Sequence, residues 1–284
     1  MITIPRSRPL PDIPRSKSGK TALQLAIEIT QRAGDTLLQR FDGPMIVSYK
    51  SRGNIVTDVD TEVEETALCT IRDEYPEMDT LGEETAGVAA GQGYVWIIDP
   101  LDGTRNYASG IPFYSTVIGL ALCGEVLVGV NYDPVRGEMF YAEKGGGAFL
   151  NGDPIRASNR LRMADCIIGT DMSYNDEGAA NSLEAIGKIW PRMQTVRIMG
   201  SAALGISYVA AGRTDLYFHD QLQPWDMVAG LLMVEESGGV VFDRGGKRAG
   251  LYSDGLVASN ANLHGEFKRH TENLGWWRSR GTPD

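Results

Sequence analysis

Two carboxylates three positions apart, Asp99 and Asp102, close a short apolar run at residues 95–98 and lead into Gly103-Thr104. The run has the length and composition of a buried strand. Pro100 has no N–H to give a ladder and is expected to stop it. Gly103 suits a tight turn, and Thr104 suits the opening of a helix. Two acids at the mouth of a rigid element, beside backbone N–H groups that suit an anion, would let a hard cation and a phosphate sit together.

Four more acids stand in similar places. Asp60, Glu83, Glu84 and Asp226 each sit at the end of an expected strand or the start of an expected helix. Taken alone, Asp60 reads as a helix cap and Glu83-Glu84 as solvated acids. Taken together, the six would repel one another and raise their own pKa values, and divalent cations relieve that repulsion. All-oxygen ligands favour Mg²⁺, Mn²⁺ or Ca²⁺ over Zn²⁺. The histidines, His219, His264 and His270, show no i, i+4 pairing, which argues against zinc. There is no G-x-S-x-G or C-x₅-R pattern for a covalent route, no P-loop, and no twelve-residue calcium loop. Metal-activated water attacking phosphorus is then the natural chemistry, one ion lowering the pKa of the water and another stabilising the leaving oxygen. Thr104 with a carboxylate could orient the water, and the N–H groups of Gly103 and Thr104 could hold the phosphate.

The elements that must position these residues read as a layered α+β chain. A helical stripe of Leu23, Ala26, Ile27, Thr30, Ala33, Leu37 and Leu38 ends at Gly43-Pro44. A strand follows at 45–49. A helix is expected at about 61–75, with Thr61 and Glu64 as its capping box and Pro76 as its stop. A short strand at 78–82 precedes Glu83-Glu84 and a Gly/Ala-rich loop, 86–93, that could act as a flap. Strands at 115–123, 126–132 and 138–143 form an antiparallel meander. The second half expects strands at 166–170, 195–199, 215–218, 240–242 and 256–258. Helices are expected at 179–190, from Gly200 to about 212, from Pro224 onward and at 262–274, with Trp276-Trp277 packing the last one down. Residues 1–20, Pro-rich and basic, read as a flexible leader. Residues 21–284 read as one domain with halves at about 21–150 and 151–284.

Composition bounds the partners. The net charge of −10, from 37 acids and 27 bases, argues against a nucleic-acid surface. No apolar run approaches the ~20 residues of a membrane helix. Cys69, Cys123 and Cys166 have no metal or redox spacing and read as buried free thiols of a reducing cytoplasm.

Residues 96–106, centred on Asp99-Pro100-Leu101-Asp102-Gly103-Thr104, resemble the first signature of the inositol monophosphatase family. Pro224-Trp225-Asp226-Met227-Val228-Ala229-Gly230, continued by Glu235-Glu236-Ser237-Gly238-Gly239, resembles the second. Gly82-Glu83-Glu84, Val56-Thr57-Asp58-Val59-Asp60 and Gly200-Ser201-Ala202-Ala203 are similar to three further family motifs, in family order, and the likeness spans about 21–275. The resemblance implies an αβαβα sandwich of the inositol monophosphatase / fructose-1,6-bisphosphatase type. It also implies a homodimer and a lithium-sensitive hydrolase of phosphate monoesters that uses two to three Mg²⁺, with Mn²⁺ as an alternative. It places Glu83, Asp99 and the Leu101 carbonyl on the first metal, and Asp99, Asp102 and Asp226 on the second. A third, weaker metal would sit near Glu83. Thr104 with Asp60 would activate the water, and Gly103 with Thr104 would hold the phosphate. Asp102, Gly200, Ser201, Ala202, His219 and Asp226 would meet the substrate, supported by Glu84 and Lys50.

One departure bears on the substrate. Inositol-specific members often carry a Glu seven positions before the Asp of the second signature; here that position is His219, followed by Asp220. Asn54 also replaces a common Asp, as a structural residue. Inositol 1-phosphate or a related polyol phosphate leads as substrate. Fructose 1,6-bisphosphate, histidinol phosphate and 3′-phosphoadenosine 5′-phosphate remain open, although the sequence points to no aromatic or basic adenine site. A binding protein that merely kept the fold would be expected to have lost acids from the cluster, and none is lost.

Overall fold

The computed structural model describes residues 13–51, 53–85 and 93–277. Most of the leader and residues 86–92 of the expected flap lie outside them. The first half runs α1 (Ala22–Arg40), β1 (Val47–Ser51), β2 (Asn54–Thr57), α2 (Asp58–Glu74), β3 (Asp79–Gly82), β4 (Tyr94–Asp102) and α3 (Thr104–Ala108). The meander follows as β5 (Ser115–Leu122), β6 (Glu125–Asp133), β7 (Glu138–Glu143), β8 (Gly147–Leu150) and β9 (Asp153–Pro154). The second half runs β10 (Ile167–Thr170), α4 (Asp176–Ile189), β11 (Thr195–Arg197), α5 (Ala202–Ala210), β12 (Leu216–His219), α6 (Pro224–Glu236), β13 (Val240–Asp243), β14 (Leu256–Ser259) and α7 (Ala261–Thr271).

Side-chain alternation sorts these elements into five layers. Along β4, Trp96 and Ile98 pack with Leu25, Ile29 and Ile71 of α1 and α2. Val95 and Ile97 point the other way, onto Ile206, Val228 and Leu232 of α5 and α6. A period of two with both faces apolar marks a sheet covered on both sides. That sheet has seven strands in the order β3-β4-β5-β6-β7-β8-β9, all antiparallel neighbours except β3 and β4. The second sheet has the order β11-β10-β12-β14-β13. There Tyr217 faces α5, while Leu216 and Phe218 face α4, α7 and the buried Trp276. The succession α1/α2, sheet, α5/α6, sheet, α4/α7 is the expected αβαβα sandwich. The middle helices sit very close to the first sheet: a Cβ on Gly129 of β6 would come 2.6 Å from the Cα of Ala229.

Several local expectations are corrected. Helix α2 begins at Asp58, and its capping box is Thr57 with Asp60 rather than Thr61 with Glu64. Asp60 is therefore an N3 residue with its side chain turned back and buried. Strand β4 does not stop at Pro100; it runs through to Asp102 across a bulge. Helix α5 starts at Ala202 with Ser201 as its N-cap, two residues after Gly200. Only Cys166 of the three thiols is buried; Cys69 and Cys123 are exposed. Residues 13–20 are tied down, since Lys17 N–H donates to the Glu74 carbonyl at 3.0 Å and the Tyr75 hydroxyl donates to the Pro14 carbonyl at 3.1 Å. Among the described residues, no helix is long and apolar enough to cross a membrane.

Candidate active site

The bulge in β4 builds the centre of the site. Asp99 pairs with Val117 and Asp102 with Ser115, so three steps on β4 match two on β5. In a regular strand, residues three apart point to opposite faces. The extra residue cancels that reversal, which is the usual effect of a bulge. The Asp99 carboxylate accepts the Leu101 N–H at 3.0 Å and so fixes the turn around Pro100. Asp226 arrives from the first turn of α6, where its carboxylate accepts the Gln223 N–H at 2.6 Å. One carboxylate oxygen from each of Asp99, Asp102 and Asp226 lies within 4.8 Å of the others.

These acids are held against their charge. Burial, then Glu83, Asp102 and Asp226, pushes the pKa of Asp99 well up. Burial, then Asp102 and Glu83, does the same to Asp226. Asp102 is pushed up to about 7, first by burial. Among the described residues none of the three has an ion pair. Three all-oxygen donors at this spacing, two buried and Asp226 half-buried, fit a hard divalent cation.

Asp102 also ties the two halves together. Its carboxylate accepts the Ser201 hydroxyl and the Ala203 N–H at 3.0 Å, at the N-terminus of α5. Ser201 is 1% exposed, so it faces Asp102 rather than open space. Thr104, the first residue of α3, sets its hydroxyl 3.1 Å from Asp60 Oδ1 and 2.9 Å from the Leu101 carbonyl. Thr57 N–H donates to the other Asp60 oxygen at 2.9 Å. Burial, relieved in part by the Thr57 bonds and reinforced by Glu83, pushes Asp60 up to about 6. Gly103 caps α3 in the left-handed region, at φ +92°, a conformation that glycine adopts without strain, so the chain turns there.

Glu83 enters the same cavity, of about 510 Å³, but stands outside the tight trio. Lys50 Nζ donates to Glu83 at 2.9 Å and to Glu84 at 2.6 Å. Burial, despite Lys50, holds Glu84 up at about 7. The sequence reading missed the residue that seats this turn. Glu64 is fully buried and accepts the N–H groups of Glu84 at 2.9 Å and Thr85 at 2.8 Å. A Cβ on Gly82 would come 2.4 Å from its carboxylate, which explains the glycine. The available signal was position: Glu64 lies one turn after Asp60, next to the buried Val63, Ala67 and Ile71.

A second cavity, about 490 Å³, shares Asp102, Gly103, Tyr174, Gln221 and Asp226 with the first. Gly200, Ala202 and His219 line it. Two further residues missed from sequence shape its wall. Asp171 accepts the Met199 N–H at 2.8 Å, the Gly200 N–H at 2.6 Å and the Tyr217 hydroxyl at 2.9 Å. Asn106 donates to the carbonyls of Phe113 at 2.8 Å and Met199 at 2.7 Å. His219 and Asp220 part company: His219 faces the cavity, while Asp220 meets Arg244 at 3.4 Å, both nearly fully buried.

Residues 20–275 match the inositol monophosphatase family, and the chain belongs to that family of phosphatases. A Thermotoga maritima protein named fructose-1,6-bisphosphatase/inositol-1-monophosphatase is 36% identical over 245 residues, spanning 86% of this chain and 93% of its own. The Escherichia coli protein named Nus factor SuhB is likewise 36% identical over 245 residues, spanning 85% and 92%. The crystal structure of the extragenic suppressor protein suhB from Bartonella henselae superposes with a TM-score of 0.84 at 34% identity, over 88% of this chain and 98% of that one.

Proposed function

We propose that the protein hydrolyses small phosphate monoesters with divalent cations, Mg²⁺ first among them and Mn²⁺ as an alternative. The observation that carries this is the trio Asp99, Asp102 and Asp226, the first two buried and the third half-buried, mutually repelling and within 4.8 Å. Asp99, Asp102 and Asp226 would hold one ion. Asp99, Glu83 and the Leu101 carbonyl would hold another, with a third, weaker one near Glu83. Bound ions supply an activated water and stabilisation of the leaving oxygen. The chain's own groups do the rest. Thr104 and Asp60 form the hydrogen-bonded pair that would orient the attacking water and take its proton. The N–H groups of Gly103 and Thr104 would hold phosphate oxygens. Lys50, which bridges Glu83 and Glu84, would hold the two acids in register.

Inositol 1-phosphate is the reference substrate, with fructose 1,6-bisphosphate, histidinol phosphate and 3′-phosphoadenosine 5′-phosphate as alternatives. The same reading expects a homodimer, lithium inhibition and a cytoplasmic location. It expects no nucleic-acid partner, which the net charge of −10 supports and an RNA gel shift checks.

Asp99→Asn is the test. Groups one shell beyond a metal already contribute about 10–100-fold in affinity or activity, so a direct ligand should cost about 100-fold or more in Mg²⁺-dependent phosphate release. The circular dichroism spectrum and a cooperative melt should persist. Activity that survives the change would remove the metal assignment.

A further inference from the structure

Helix α5 meets the first sheet at two polar points, one helical turn apart. The first is Asp102 on β4. Its carboxylate accepts the Ala203 N–H at 3.0 Å, the Ala202 N–H at 3.3 Å and the Ser201 hydroxyl. The second lies two strands away, on β6. Asn131 is fully buried there, and its Nδ2 donates to Ser207 Oγ at 2.9 Å. The Ser207 hydroxyl donates to the Ala203 carbonyl at 2.8 Å. A hydroxyl has one proton, and this one goes to Ala203, so its oxygen accepts and the Asn131 amide must face it with Nδ2. The residue whose N–H reaches Asp102 is therefore the residue whose carbonyl is reached from Asn131.

The surroundings of this link are apolar. Val117, the cross-strand partner of Asn131, belongs to the same core cluster as Ala203, Ile206 and Met233. Apolar burial is non-directional and would let a helix of nine residues slide or turn against the sheet. A hydrogen bond has a preferred distance and angle and resists both movements. Stability alone does not account for Asn131. Its Oδ1 is buried and, among the described residues, meets no donor, which costs stability. A polar side chain kept in a core at such a cost is expected where a site must be positioned. Asn131 lines neither of the two cavities, so it acts at a distance.

We infer that Asn131, acting through Ser207 and Ala203, is a positioning residue that sets the Asp102 carboxylate for the cation. The inference rests on the phosphatase reading above, in which Asp102 is a metal ligand. Asn131 fixes where α5 sits along and about its own axis. The first turn of α5 then presents its donors to Asp102, and these set how the carboxylate faces the other acids.

The experiment compares the unchanged protein with Asn131→Val, Asn131→Ala, Ser207→Ala and the double variant Asn131→Val/Ser207→Ala. Mn²⁺ binding is measured by calorimetry without ester, beside the metal-free Tm and Mg²⁺-dependent phosphate release. Valine suits a strand and brings no unpaired polar atom into the core, so the metal-free Tm should hold or rise. Mn²⁺ affinity should fall about tenfold, the lower end for groups that orient a metal ligand. Asn131→Ala should show the same loss of affinity, which keeps the test in hand if valine does not fit. Ser207→Ala should match it, and the double variant should lose no more than either, because the two residues act as one unit. The Mg²⁺ concentration for half-maximal phosphate release should rise by the same factor, with KM for the ester at saturating Mg²⁺ unchanged. A shifted Tm with Mn²⁺ affinity untouched would overturn the inference and make Asn131 a core residue only. Losses that add in the double variant would overturn it as well, while leaving the phosphatase reading standing. No Mn²⁺ binding by the unchanged protein would remove the cation assignment, and the inference with it.

Discussion

The two cavities share a wall but are held by different means. The acid side hangs on regular elements: the bulged strand β4, the first turn of α6 and the first turn of α2. Asp99, Asp226 and Asp60 are each fixed by a backbone amide within a few residues, at Leu101, Gln223 and Thr57, and Asp102 alone of the trio takes its amide from the other half, at Ala203. The alcohol side is assembled from turns far apart in the chain. Asp171 reaches to residues 199 and 200, Asn106 reaches to Met199, and Arg105 stacks on Tyr174. Local fixation makes a site rigid and readable from a motif. Long-range fixation lets specificity vary while the reaction stays the same.

The sharpest way to break this contrast is Arg244→Ala. Arg244 is 3% exposed, faces a fully buried Asp220 and lies over Trp276, so it braces the sheet behind His219. Removing one member of a buried pair costs about 3–5 kcal/mol, because the other charge stays desolvated. We expect a large fall in Tm, and KM should rise for every ester more than the Mg²⁺ requirement changes. If Mg²⁺ affinity fell as steeply as substrate affinity, the two walls would be one unit after all.

The same contrast explains what the sequence alone could reveal. The apolar runs of β4 to β7 and the apolar stripes of α1 and α5 make the layered fold legible. The acids at element ends made the metal chemistry visible, because each lies beside its own local signal. Asp60 was seen, but its helix was started three residues late, because Thr61 and Glu64 mimic the capping pattern that Thr57 and Asp60 make. The continuation of β4 through Pro100 was hidden, since a bulge depends on the partner strand. Tyr174, Asp171 and Arg105 carried no local sign of a site. Their roles exist only once residues about 25 to 95 positions apart are brought together, so this part of the substrate wall is not legible in the sequence, whereas Gly200, Ala202 and His219, which line the same cavity, are.

Metal removal tests the acid side through stability. Asp102 and Glu84 titrate near 7 in the fold, and Asp99 and Asp226 are also raised, against ordinary values near 4. The folded state therefore binds more protons than the unfolded state in this range, so metal-free stability should fall as pH rises from 6.5 to 8. His219 and His264, both lowered to about 4 by burial, act in the opposite sense. Their stabilisation is lost as pH falls from about 6.5, the unfolded value, toward 4, so 6.5–8 is the clean window. Mg²⁺ should flatten the slope and raise stability by about 2.7 kcal/mol at 100 times its Kd. Melts at pH 6.5 and 8 with chelator and with Mg²⁺ check it. A metal-free Tm that climbs toward pH 8 would contradict the charge repulsion on which the cation assignment rests.

The smallest effect is expected from Glu64→Gln, and it tests whether local fixation matters on the acid side. Glu64 accepts two amide protons, from Glu84 and Thr85, on its two carboxylate oxygens. Glutamine has nearly the same shape but offers one oxygen and turns an N–H₂ toward the second amide. One buried amide loses its acceptor, about 1–3 kcal/mol, and part of that is recovered as the turn relaxes. Glu64 is a ligand at none of the proposed metal positions, so it is a positioning residue acting through Glu83. The readout that separates positioning from mere stability is the Mg²⁺ concentration for half-maximal activity at a temperature well below Tm. It should rise about tenfold, as for other groups that orient a metal ligand, while KM for the ester at saturating Mg²⁺ stays close to that of the unchanged protein. A lower Tm with no change in Mg²⁺ dependence would make Glu64 a structural residue only, and would mean that the turn carrying Glu83 is set by Lys50 rather than by α2.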